Sequence, residues 1–178
     1  MKIKVRPEDF GVKESINLPF SKKGDYTILT LEKKYWNTLE VIDFVARKLS
    51  LSKNLFSRAG LKDRYSYSTQ YLSFKCDFTA TIREKNFVLH PTGKSDRPIS
   101  PHHLIENKFF IILRSLTRSE LEKINTNYNE ITRYGIANYF DEQRFGSAKH
   151  RKGFFCKRTH VETLSRCFEA LSLLSIER

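Results

Sequence analysis

The residues best equipped for chemistry lie in two short segments. The first runs Ala59-Gly-Leu-Lys-Asp-Arg-Tyr-Ser-Tyr-Ser-Thr-Gln70. Lys62, Asp63 and Arg64 are consecutive in it, and a carboxylate flanked by two cations stays ionised because nearby positive charge lowers its pKa. Gly60 permits a sharp turn out of a strand. Ser66, Ser68, Thr69 and Gln70 offer hydroxyls and an amide that can bond the loop or a ligand. The second segment is Asn138-Tyr-Phe-Asp-Glu-Gln-Arg-Phe-Gly146. Its rings interleave with Arg144 and with amides, which suits stacking on bases and holding phosphates. Taken singly, the first segment also reads as a polar turn between strands, and the second as an aromatic cluster at an element boundary.

The elements that must position these segments can be read from patterning. Lys2 to Val5 alternates as a short strand closed by Pro7, and Asp25 to Lys33, rich in Thr, Ile and Leu, reads as another. A helix follows, with Asn37 as cap, Glu40 at the capping-box position, and Leu39, Ile42, Val45 and Leu49 as its apolar stripe. Leu55 to Ala59 is strand-like and leads into Gly60. Tyr71 to Cys76 and Asn86 to His90 alternate as strands, whereas Thr92 to Pro101 carries Gly93, Pro98 and Pro101 and reads as a loop. The continuous apolar run Phe109 to Leu113 suits a central strand buried on both faces. A second helix is expected with Ser119 as cap, Glu122 completing the box, Leu121, Ile124, Tyr128 and Ile131 as stripe, and Gly135 as stop. A basic loop, Ser147 to Gly153, then precedes an amphipathic stretch through Val161, Leu164, Phe168 and Leu171. Strands and helices mix without a strict βαβ rhythm, so the expected fold class is α+β, a mixed β-sheet with flanking helices.

Charge gives the first indication of a partner. Thirty-two Lys and Arg against twenty Asp and Glu leave a net charge of +12 over 178 residues. Such a surface attracts polyanions, because neutralising phosphates releases condensed counterions; solubility alone and a basic membrane-surface protein are the other readings. The longest apolar stretch is far shorter than the ~18 residues that span a bilayer, and the N-terminus has no apolar signal region. Cys76, Cys156 and Cys167 are odd in number and lack CxxC spacing, which argues against a disulfide framework or a zinc site and fits a reducing cytoplasm. His102-His103 belongs to no ligand motif, so no metal is expected.

Together the two segments resemble a known family. Gly-x-Lys-Asp-Arg followed by Thr-Gln, with Asn-Tyr-Phe-x-x-Gln-Arg-Phe-Gly downstream, is similar to the signature motifs of TruD-type tRNA pseudouridine synthases. Arg6-Pro-Glu-Asp-Phe-Gly-Val-Lys-Glu14 resembles the family's opening Pro-Glu-Asp-Phe-x-Val-x-Glu. Asn37-Thr38 is similar to its Asn-Thr helix start, and Leu104-Ile-Glu-Asn-Lys-Phe109, ending in Leu113-Arg114, to a strand typically reading Gly-Asn-x-Phe. The matches keep their order from about Lys4 to Gly146. Ser66 stands where the motif usually has Ala, and Ser68 where it has Thr.

The resemblance implies an RNA-modifying isomerase in which Asp63 is the catalytic carboxylate. Pseudouridine formation breaks the uracil N1 to ribose C1′ bond, turns the base and rejoins it through C5, so it needs neither a metal nor a nucleotide cofactor. Cleavage builds positive character at the sugar, as in glycoside hydrolysis, and an ionised carboxylate can stabilise or capture that centre. The resemblance places Lys4 as the partner keeping Asp63 charged in a dry pocket, although Lys4 reads equally as a solvated strand residue. It places the Phe140 ring against the target base, which must leave its stack, and Asn138 as a supporting amide. Glu14, Lys62, Arg64, Gln70 and Arg144 complete the expected binding set. The implied partner is tRNA, with uridine 13 of the D-arm as target, in the cytoplasm.

Family members continue well beyond this length, with a large inserted domain and a return to the catalytic sheet. The resemblance therefore implies that residues 1–146 are the N-terminal part of a catalytic domain and 147–178 the beginning of the insertion. On that reading the sheet is incomplete and the chain is a fragment, a frameshifted product or half of a split protein. Three functions follow: an isomerase acting on tRNA, an RNA-binding remnant without turnover, and a basic domain serving only assembly.

Overall fold

The computed structural model describes residues 1–135. Residues 1–115 form one compact unit, and a second begins at Leu116. In chain order the first unit holds β1 (Lys2–Ile3), β2 (Phe10–Ile16), β3 (Tyr26–Lys33), α1 (Thr38–Lys48), β4 (Phe56–Arg58), β5 (Tyr67–Phe74), β6 (Ile82–Glu84), β7 (Phe87–Ser95), β8 (Leu104–Ile111) and β9 (Leu113–Arg114). The second holds α2 (Arg118–Tyr134). The main sheet runs β6-β7-β3-β5-β2-β8, with β4 also on β5, and β1 pairs β9 in a separate ribbon. Among the described residues only β2 and β5 run parallel and the other pairs are antiparallel, so the sheet is mixed and the fold is α+β.

One feature of the sheet positions the site. On its far side from β3, β5 has two successive partners. Tyr67 to Thr69 pair with Gly11 to Lys13 of β2, and Leu72 to Phe74 pair with Phe56 to Arg58 of β4. Between these ladders the sheet splits, and the β4–β5 connection, which carries Asp63, emerges there. At the split, on the side of β5 away from β3, the Tyr71 amide donates to Glu14 Oε1 at 3.3 Å, so a side chain takes the place of a ladder acceptor.

Helix α1 covers one face of this sheet. Asn37 and Glu40 form the expected capping box, with the Asn37 amide donating to Glu40 Oε2 at 2.9 Å. Val41, Ile42, Val45 and Ala46 pack on Leu29, Leu31, Leu72, Phe74, Phe87 and Leu89. Leu39 and Leu49, expected in the stripe, are exposed. The buried face is centred one residue away, and Val41 and Ala46 take their places. A smaller cluster of Leu18, Ile28, Ala59 and Ile99 fills the other face.

The structure corrects other expectations. The run from Thr92 is not all loop: β7 continues through Gly93 to Ser95, because Tyr26 to Ile28 of β3 supply ladder partners. Phe109 to Leu113 is not a central strand. Phe109 and Phe110 lie on β8, which among the described residues pairs only with β2, and Phe109 is 60% exposed. Helix α2 is capped by Thr117 with Glu120, not by Ser119 with Glu122; the Thr117 amide donates to Glu120 Oε2 at 2.8 Å. Both frames fit the box, and the earlier one starts the helix two residues sooner. Gly135 ends α2 at φ 74°, where glycine carries no Cβ penalty.

Candidate active site

The loop from Ala59 to Ser66 is held from beneath by a buried polar network. The Lys62 amide donates to Thr38 Oγ1 at 3.0 Å, and that hydroxyl donates to Gln70 Oε1 at 2.7 Å. Gln70 Nε2 donates in turn to the Gly60 carbonyl at 3.4 Å. Thr38 and Gln70 are both buried, so the first residue of α1 and the middle of β5 jointly fix the path of the loop. A network whose members are all satisfied rigidifies what it holds.

Two lysines reach the same loop from the interior. Lys62 Nζ lies 2.5 Å from Glu14 Oε2, and both residues are buried. Glu14 thereby ties β2, β5 and the loop together at the split. The second is Lys33, at the end of β3 and only 1% exposed. Its Nζ donates to the Lys62 carbonyl at 3.2 Å and to the Asp63 carbonyl at 2.9 Å. Burial pushes the Lys33 ammonium down from 10.5 to about 8, against the opposing pull of Asp63. The Ser66 hydroxyl also donates to the Asp63 carbonyl, at 2.9 Å. With its carbonyl held inward by two donors, Asp63 turns its side chain outward, 70% exposed.

At the surface, Asp63 Oδ2 meets Lys4 Nζ at 3.7 Å. Lys4 has φ 54°, a left-handed conformation strained for a side chain of its size, and its Nζ sits 3.8 Å from the centre of the Phe10 ring. Carboxylate, ammonium and aromatic face are thus adjacent. The segment bearing Phe10 is anchored by Asp9, which is fully buried. Arg114 grips Asp9 through two bonds, Nη2 to Oδ1 at 2.6 Å and Nε to Oδ2 at 2.9 Å. That guanidinium, helped by the Arg6 amide, holds the Asp9 carboxyl below the usual carboxylate range.

The structure therefore brings Lys4, Glu14, Lys62, Asp63, Arg64 and Gln70 to one loop, but in different capacities. Glu14, Lys62 and Gln70 face inward and brace the loop; their hydrogen-bonding groups are occupied by the protein. Arg64 is exposed and paired with Glu40. The dry pocket expected around Asp63 is not formed by the described residues, because the loop carries its side chain into solvent. Asn138, Phe140 and Arg144 lie outside the described residues. Lys33 was not expected. Alternation along Leu29-Thr30-Leu31-Glu32-Lys33 puts it on the same face as Leu29 and Leu31, a core-facing lysine that the pattern could have flagged. Phe10, beneath the Lys4 ammonium, was likewise not singled out.

The sequence model of the family tRNA pseudouridine synthase D (TruD) matches residues 1–162 of the 178. The chain belongs to the TruD family. It is 32% identical over 163 residues to the tRNA pseudouridine synthase D of Aquifex aeolicus, covering 88% of this chain and 42% of that one. With the Wolinella succinogenes protein of the same name it shares 34% over 162 residues, covering 88% and 44%. A crystal structure from Methanosarcina mazei, assigned to TruD, superposes with a TM-score of 0.75 at 30% identity, covering 81% of this chain and 35% of that one. The chain thus spans less than half the length of these relatives. The TruD-like motifs gain a physical reading: the opening motif supplies Asp9, Phe10 and Glu14, the Asn-Thr start supplies Thr38, and the strand ending in Leu113-Arg114 supplies the clamp on Asp9.

Proposed function

We propose that this chain carries the catalytic carboxylate of a tRNA pseudouridine synthase, with Asp63 as the reacting group and a uridine of tRNA, at position 13 of the D-arm, as substrate. The observation that carries the reading is the Asp63 side chain, presented outward by a braced loop with the Lys4 ammonium 3.7 Å away. In the reaction the N1–C1′ bond breaks, a C5–C1′ bond forms, the proton on C5 is lost and N1 ends protonated. Asp63, as carboxylate, opposes the positive character that builds at C1′ or bonds to the nucleoside until the base has turned. By family resemblance Phe140 and Asn138 receive the unstacked base, while Arg144 and the basic surface hold phosphates. Residues 1–146 form the catalytic portion on this reading, with the inserted domain beginning at 147, and the enzyme acts in the cytoplasm, where tRNA is matured.

The test is direct. The purified chain is incubated with an unmodified tRNA transcript, and pseudouridine is scored by carbodiimide-dependent primer-extension stops. A stop that appears with the natural chain and vanishes with Asp63→Asn is the expected result. A second reading, RNA binding without turnover, is favoured by the 70% exposure of the Asp63 side chain, which leaves the carboxylate without a water-excluding wall. Tight tRNA binding with no product from either protein would select it.

A further inference from the structure

Two tyrosines beside the Asp63 loop present more aromatic surface than its bracing requires. Tyr35 follows β3, and Tyr65 lies two residues past Asp63. Their ring centroids are 5.8 Å apart at an interplanar angle of 71°, an edge-to-face arrangement that aromatic quadrupoles favour. Each is 43% exposed, so the pair holds its own geometry while turning a broad π surface outward. Tyr35 also sits at φ 60°, a left-handed conformation in which glycine rests comfortably and a bulky aromatic does not. Strain of this kind persists where the side chain is wanted for something other than stability. Tyr65 is pinned as well: its hydroxyl donates to the Val5 carbonyl at 3.2 Å, next to Lys4.

The charges around the pair suit an RNA strand. Tyr35, Trp36, Glu40, Asp43, Arg47 and Arg64 line an open cleft of about 380 Å³. Its two acids are already matched to cations, Glu40 to Arg64 and Asp43 to Lys53 at 3.6 Å. Arg47 gives its Nε–H to the Asp43 carbonyl at 3.2 Å, which leaves its positive charge available to a phosphate. Stacking on rings with neighbouring guanidinium groups is how proteins hold single-stranded nucleic acid without demanding one base, since every base has a π face.

We propose that Tyr35 and Tyr65, supported by Arg47, form a stacking platform for a nucleobase of the RNA strand adjoining the nucleotide that reaches Asp63. The inference rests on the tRNA reading above and adds to it a seat for a second base, one tolerant of base identity.

Fluorescence anisotropy with a labelled, unmodified tRNA transcript at fixed salt tests it, using Tyr35→Gly, Tyr35→Phe, Tyr65→Ala and Tyr65→Phe. Removing either ring should weaken binding at least about fivefold, the loss of one base stack, while Tyr35→Phe keeps the natural affinity because the stacking face remains, and Tyr65→Phe, which loses only the bond to the Val5 carbonyl, binds more tightly than Tyr65→Ala. Tyr35→Gly should keep or raise the melting temperature, since it relieves the left-handed strain, so its loss of affinity cannot be assigned to misfolding. The salt slope should stay unchanged, because the removed groups are neutral. If the natural chain binds tRNA and the ring-removed variants bind equally well, the platform is wrong and the proposed function stands. If the natural chain does not bind tRNA at all, both fall together.

Discussion

Replacing Lys33 with Met removes a charge from the interior at little change in shape, and the consequences can be worked out. At pH 7 the ammonium is the main form, with its pKa at about 8. It donates to the carbonyls of Lys62 and Asp63 at 3.2 and 2.9 Å. Hydrogen bonds from a charged donor contribute roughly 1.5–3 kcal/mol each, so losing both costs about 3–6 kcal/mol. Against this stands the burial that lowers the pKa from 10.5 to about 8. That fall is worth at most about 3 kcal/mol, and about 2 kcal/mol once water's screening at the loop is allowed for. Lys33→Met should therefore destabilise the chain at pH 7 by roughly 1–4 kcal/mol.

The sharper consequence is in the pH dependence. Lys33 is depressed in the folded state and ordinary in the unfolded one, so between about 8 and 10.5 the unfolded chain binds more protons. Stability contributed through this group must then rise with pH across that window. Urea unfolding at a series of pH values, followed by circular dichroism, should show the natural chain gaining about 2 kcal/mol on Lys33→Met between the two ends of the window. A difference that stays flat or shrinks would mean that Lys33 is solvated, and the account of how the Asp63 backbone is held would be wrong.

Lys62→Met should be more damaging than its size suggests, because it leaves the buried Glu14 carboxylate without the ammonium now 2.5 Å away. Breaking one side of a buried pair costs about 3–5 kcal/mol, and the double variant Glu14→Gln/Lys62→Met should recover much of the loss in urea unfolding; a cost under about 1 kcal/mol for Lys62→Met would contradict the pairing. Asp9 is held below the ordinary carboxylate range by Arg114, so its contribution is present above that range and is lost as pH falls through the lowered value. Acid unfolding should accordingly show the natural chain converging on Arg114→Met at low pH, and parallel curves would show that the clamp does not stabilise the fold.

Much of the scaffold was legible because local signals agreed with tertiary ones. Asn37 and Glu40 announce α1, and Asp25 to Lys33 marks β3 nearly to its ends. What patterning could not give was the partner of each strand. Phe109 and Phe110 look like core by composition, yet whether a strand lies at an edge depends on what pairs beside it. β2 escaped notice because Glu14 stands on the face that alternation otherwise gives to Phe10, Val12 and Ile16. In the site, the motifs singled out Lys4, Glu14, Lys62, Asp63, Arg64 and Gln70, which the fold brings to one loop, but sequence alone could not tell a ligand-facing group from a brace. Glu14, Lys62 and Gln70 were expected to bind, and the fold turns them inward because the split between β2 and β4 exposes backbone and loop groups that need partners.

Three lysines converge on one loop, and their surroundings divide the labour between them. Lys33 and Lys62 are buried, so their charges act at low dielectric on carbonyls and on Glu14, where an unmet group is costly. They fix backbone. Lys4 meets Asp63 in solvent, with side-chain exposures of 36% and 70%, where an ion pair is worth under about 1 kcal/mol. Its left-handed φ of 54° costs a comparable amount, so the Lys4–Asp63 contact does not repay its own strain as stability. The Phe10 ring beneath the same ammonium, 3.8 Å from Nζ to its centre, offsets part of that strain; on the function proposed above, a substrate covering the pair would also strip its water and strengthen the attraction.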